Sequence, residues 1–285
     1  MERVERIAAA HPNEWRGGWR VIAAAMIGNG FGPGMYQNLS SLFVPGMTAA
    51  FGWTRGDIAT AAGIGLIGAL GVPAIGRLAD KLGARPVIVG ATLLLAATLA
   101  GFATLGGALW IYQLLVLCLA LSVAGTSAVV YGRLIAARFV THRGIALGVA
   151  TSGLSLSTLV LSPLVAGVIA RHGWRTGFAV LVALVLAVAL PAVLLLLRGV
   201  VVAPVHRAGE AEDIAPETLL AGMSAREARR DARFWRLGLA VALVSLASVG
   251  LITQLAPFGT DRGLRLEQAA WLVTGLGASQ IVGRL

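Results

Sequence analysis

Gly76-Arg77-Leu78-Ala79-Asp80-Lys81-Leu82-Gly83-Ala84-Arg85 stands at the junction of two long apolar blocks, residues 56–78 and 86–106. Its physics is legible before any wider reading. Gly76 and Gly83 permit a close helix approach and a tight turn. Asp80 sits at a helix end among Arg77, Lys81 and Arg85, where a carboxylate can accept from cations or from a neighbouring helix N-terminus. A polar turn of this kind between apolar blocks reads as a loop joining two membrane spans.

The chain around it supports that reading. Of 285 residues, 57% are hydrophobic and 13% charged, about half the charged share of a soluble domain. The apolar residues fall in blocks near 19–45, 56–78, 86–106, 108–137, 144–170, 175–197, 234–258 and 267–285. About 20 apolar residues cross the hydrocarbon core as a helix. The blocks are too long and continuous for the ten-residue alternation of barrel strands. Pro33, Pro73, Pro163 and Pro191 fall inside them and are expected to mark kinks. Trp15, Trp19, Trp53, Trp110, Trp174, Trp235 and Trp271 all fall near block ends, the expected interfacial belt. The first block is too long for a signal-peptide core and is read as a retained span.

The formal charge of +10 excludes little by itself. The arginines lie between apolar blocks, in no single patch and without aromatic interleaving, so no nucleic-acid partner is expected. They carry a topology signal instead. With the N-terminus inside, inner segments hold 17 Lys and Arg and outer segments 5, leaving Arg284 aside. That bias predicts a cytoplasmic N-terminus in a multi-pass cell (inner) membrane protein.

The expected plan is a cytoplasmic segment 1–18, a six-helix bundle 19–198, a cytoplasmic central loop 199–233, and the start of a second bundle, 234–285. The loop carries Glu210, Glu212, Asp213 and Glu217. It ends in Ser224-Ala225-Arg226-Glu227, a capping-box pattern before a short helix, 225–233. That helix lies on anionic headgroups or is a solvated linker. Arg55-Gly56 and Gly76-Arg77-Leu78 recur as Arg262-Gly263 and Gly283-Arg284-Leu285, both offset by 207 residues. The repeat predicts two parallel halves with a site between them near midplane, and four further spans after Leu285.

Residues 76–85 resemble the loop signature of the major facilitator superfamily, G-x-L-x-D-[RK]-x-G-R-[RK]. Ala84 departs from it and Arg85 keeps the cation. Gly52-Trp53-Thr54-Arg55-Gly56, Arg143-Gly144-Ile145-Ala146-Leu147-Gly148, Gly173-Trp174-Arg175-Thr176-Gly177-Phe178 and Thr260-Asp261-Arg262-Gly263 resemble its monocarboxylate porter and oxalate/formate antiporter branches. The resemblance implies an all-α membrane fold of two six-helix halves, here the first half plus two helices of the second. It also implies alternating access, with Gly76, Arg77, Asp80, Lys81, Gly83 and Arg85 in gating and the partner helix of Asp80 in the second half. The alternative for these residues is a topology anchor with surface salt bridges.

Candidate substrate-binding residues are Arg284, Gln280, Asn29, Tyr36, Gln37 and Arg133. Asn29, Tyr36 and Ser40 have helical spacing on one face, either cavity-lining or interhelical glue. An Arg at the bilayer centre costs roughly 2.5–3.5 kcal/mol on insertion scales, so Arg133 and Arg284 are functional candidates; Arg133 can instead snorkel. Gln280 and Arg284 share a face at i, i+4. Monocarboxylate porters place an Asp and an Arg at that spacing. Arg284 matches the Arg, and Gln280 replaces the Asp. Gln37 stands where animal porters carry a Lys. Arg284 can also be simply the repeat of Arg77.

These residues predict a secondary transporter of small organic anions, with a proton or anion counter-substrate, no cofactor and no catalytic or metal site. A porter of neutral solutes or drugs and a non-transporting membrane sensor are the alternatives. Cys118 is alone, so no disulfide is available. His11, His142, His172 and His206 lack metal spacing, and no nucleophile–base pair is evident.

Overall fold

The computed structural model describes residues 14–69, 71–139, 141–200 and 229–283, and these are helical with short connections. The first predicted span is broken into α1 (Glu14–Gly30), α2 (Pro33–Leu39), a 3-10 turn (Ser40–Leu42) and α3 (Val44–Phe51). The second is α4 (Arg55–Ala69) and α5 (Val72–Leu82), and the third is α6 (Ala84–Ala103). The fourth is α7 (Leu109–Gly125) and α8 (Ala128–Ala136). The fifth is a single helix, α9 (Arg143–His172). The sixth is α10 (Trp174–Leu184), a π turn (Val185–Ala189) and α11 (Leu190–Leu196). The seventh and eighth are α12 (Ala232–Asp261) and α13 (Leu266–Val282).

Five of these are long and apolar enough to cross a membrane: Ala84–Ala103, Leu109–Ala136, Arg143–His172, Trp174–Leu196 and Ala232–Asp261. The first, second and eighth spans are broken or shorter. The prolines account for part of this. Pro33 and Pro73 open α2 and α5, because proline lacks an N–H and suits a first turn. Pro191 opens α11 after the π turn. Pro163, expected to mark a kink, sits inside an unbroken α9. Of the short helix expected at 225–233, residues 225–228 lie outside the described residues; Arg229 and Arg230 are helical, and the helix is interrupted at Asp231, which caps α12 by accepting from the Arg233 N–H at 2.8 Å.

Helix α9 is the keystone, packed between α1 on one side and α13 on the other. Small residues make this possible. A Cβ on Gly153 would lie 2.0 Å from the Met26 carbonyl oxygen, and one on Gly277 would lie 2.9 Å from the Leu159 nitrogen. With no hydrophobic driving force between helices in lipid, such close backbone approach is how spans associate. Seen along its length, α12 is asymmetric. Its exposed stretch runs from Arg233 to Leu251, and burial begins at Ile252 and continues at Ala256, Pro257 and Gly259.

Candidate functional site

Three spans converge on one polar cluster. Asn38, 3% exposed at the end of α2, donates from Nδ2 to Thr158 Oγ1 at 2.9 Å and to Gln280 Oε1 at 3.4 Å. Ser155 Oγ donates to the same Gln280 oxygen at 3.3 Å. Farther along the α9–α13 seam, Ser162 Oγ donates to the Ala270 carbonyl at 2.9 Å. Ser155, Thr158 and Ser162 lie at i, i+3 and i+7, so they form one polar face of α9. Gln280 therefore sits where the eighth span meets the first six. Arg284, four residues on in the sequence, lies outside the described residues.

The first-span candidates separate. The chain bends at Phe31 and Gly32, so Asn29 and Tyr36 do not share a continuous helix face as their spacing predicted. Asn29 Nδ2 donates to the Ala150 carbonyl at 3.3 Å, a bond between spans. Gln37 is exposed, and its carbonyl accepts from Ser40 Oγ at 2.9 Å. Tyr36 and Ser40 do line a cavity of about 370 Å³, together with Tyr112, Thr253 and Gln254. Spans 1, 2, 4 and 7 wall this space, and among the described residues no lining side chain is charged.

Beside that cavity lies an aromatic stack. Phe43 and Phe178 face each other with centroids 4.1 Å apart, Phe102 and Phe178 at 5.2 Å, and Tyr36 and Phe102 at 5.5 Å. Trp174, expected in the interfacial belt, is buried at the edge of this stack instead. Arg175 lies over its ring at 4.4 Å, a cation–π contact. Trp19, Trp110, Trp235 and Trp271 are exposed, as a belt requires.

The opposite end is held by charge. Asp80 pairs with Arg133 of α8. The partner was expected in the second half, and it comes from the fourth span of the same bundle. This places Arg133 with the loop residues rather than with the cavity. Gly76 lies beside this pair, and a Cβ there would sit in ordinary contact with the Arg133 guanidinium at 3.8 Å. Gly83 turns the chain with φ +89°, a conformation that side-chain-bearing residues avoid. Arg77 and Lys81 are exposed. Arg85 donates to the Leu194 carbonyl at 3.1 Å. A second clasp joins α1 to the loop before α9: Glu14 accepts from the backbone N–H groups of Thr141 and His142 at 3.1 and 3.3 Å.

Sequence reasoning missed the central role of Asn38 and the pairing of Thr158 with it. The three-residue spacing of Ser155 and Thr158 puts both on one face of α9, and that spacing was the available signal. Tyr112 and Thr253 carried no signal, because nothing in a linear pattern brings the fourth and seventh spans together. No curated protein matches the chain. The family model for the Major Facilitator Superfamily matches residues 22–285. The signature loop, the span order and that match together establish that this chain belongs to the Major Facilitator Superfamily, a multi-pass membrane transporter family.

Proposed function

We propose that the protein is a secondary transporter of small organic anions, monocarboxylates first, working by alternating access. The observation that carries this reading is the position of Gln280. Its side chain lies at the seam between the eighth span and the first six, and we assign the substrate's charge partner to Arg284, four residues on in the sequence and outside the described residues. A guanidinium there matches a carboxylate in planar geometry and charge. Asn38, Ser155 and Thr158 supply neutral polar groups at this seam, and Tyr36 supplies one in the cavity. In this reading, residues 19–198 and the spans from 234 onward are the two moving bodies, and 199–233 is the linker. The Asp80–Arg133 pair, with Gly76, Arg77, Lys81, Gly83 and Arg85, is the gate at the end that faces the cytoplasm of an inner membrane.

A second reading is favoured by one observation. Among the described residues the cavity walls carry hydroxyl and amide groups and no charge, which suits a neutral solute. Uptake by the full-length protein in vesicles separates the two. Labelled lactate, pyruvate or formate is expected to enter, and Arg284→Gln to abolish entry. Entry of lactamide, the uncharged isostere, without entry or exchange of any carboxylate overturns the anion reading.

A further inference from the structure

Two arginines grip the end of the sixth span from different neighbours. Arg20 of α1 donates from Nη2 to the Leu195 carbonyl at 3.0 Å. Arg85 of α6 donates from Nη2 to the preceding carbonyl, Leu194, at 3.1 Å. These carbonyls close the last turn of α11, where the helix dipole is negative and cations are favoured. The contacts fix both guanidinium groups beside span 6 while using one of five N–H donors each. Neither pairs with a carboxylate among the described residues: Glu14 is turned to the loop before α9, and Asp80 holds Arg133. Beside them the surface is apolar. Leu194 is 38% exposed, Leu195 63% and Trp19 54%.

We propose that this corner of spans 1, 3 and 6 is a binding site for an anionic phospholipid. The phosphate takes the remaining Nη donors of Arg20 and Arg85, the Arg85 Nε being buried, and these suit a phosphate oxygen pair. An acyl chain lies along Leu194 and Leu195, and the Trp19 ring sits at headgroup level, where amphipathic rings accumulate. A soluble phosphate would use the same arginines and leave the leucines bare, so the apolar strip selects a lipid. Basic residues near a membrane surface attract anionic lipid in any case. What distinguishes this site is that its two cations come from separate spans and are already held in place.

Native mass spectrometry of the full-length protein, with phosphatidylglycerol or phosphatidylcholine of identical chains, tests it. Phosphatidylglycerol is expected to stay bound in preference to phosphatidylcholine. The pair Arg20→Gln with Arg85→Gln is expected to lower that preference about fivefold. Arg171→Gln with Arg262→Gln, at the other end, is expected to leave it unchanged. Arg20→Lys with Arg85→Lys keeps the charge without the fork and is expected to fall between. This second pair still tests the site if the glutamine pair does not fold. A thermal shift with glycerol phosphate should be absent. Equal retention of both lipids, an unaltered preference in both Arg20/Arg85 pairs, or an equal shift from glycerol phosphate overturns the proposal.

Discussion

The two ends of the six-span bundle are built from different materials. At the end that carries Arg20, Asp80, Arg133 and Glu14, ion pairs and guanidinium–carbonyl bonds lie over a buried cluster that includes Val21, Ile135 and Phe139, and the Asp80–Arg133 pair is about half exposed. At the other end Phe43, Phe102, Phe178 and Trp174 form a buried aromatic stack. The difference is one of reversibility. An exposed ion pair contributes little net stability and is screened by salt, so it can break and reform at small cost. A packed aromatic cluster loses many dispersion contacts for a small displacement. The surface ion pair at one end can break without disturbing the buried packing beneath it, whereas the aromatic stack at the other is itself the packing.

Substitutions rank accordingly, and each can be read by denaturant unfolding in mixed micelles. Phe178→Ala should be the most damaging, removing a ring at the centre of the stack at about 3–5 kcal/mol. Gly153→Val should follow, because the new Cβ meets the Met26 carbonyl and forces α1 and α9 apart; overpacking costs about 1–3 kcal/mol. Gln280→Ala removes the acceptor shared by Asn38 and Ser155. A loss of about 1 kcal/mol is expected, less than half the Phe178 effect. Asp80→Asn should cost under about 1 kcal/mol, and high salt should erase that difference while leaving the Phe178→Ala loss intact. An Asp80→Asn loss as large as that of Phe178→Ala would erase the contrast between the two ends.

The same contrast explains what the sequence allowed. Apolar blocks made the order of the helices legible, and five of the eight blocks hold a helix long and apolar enough to cross a membrane, since each depends on local composition. The breaks at Gly32, Gly71 and Thr126 were less so. A Gly or Pro in a membrane span is compatible with a kink or a continuous helix, and tertiary packing decides, as Pro163 inside α9 illustrates. The Asp80 loop was legible because its chemistry is local. Its partner Arg133, 53 residues away, was not. The Asn38–Thr158–Gln280 cluster joins three spans, and no single helix contains the information that pairs them. Trp174 was misplaced for a related reason: its position at a span end fits a belt, but the glycine at 173 turns it inward against Phe178.

Alternating motion of the two halves is the claim on which the rest depends. It is tested most directly by paired spin-label distances in full-length protein with Cys118 replaced by Ser. One pair, at Lys81 and Phe234, spans the charged end; the other, at Gly106 and Leu264, spans the aromatic end. Adding the carboxylate that gives the highest uptake should lengthen one distance while shortening the other. Two distances that stay fixed, or that lengthen together, would contradict the account.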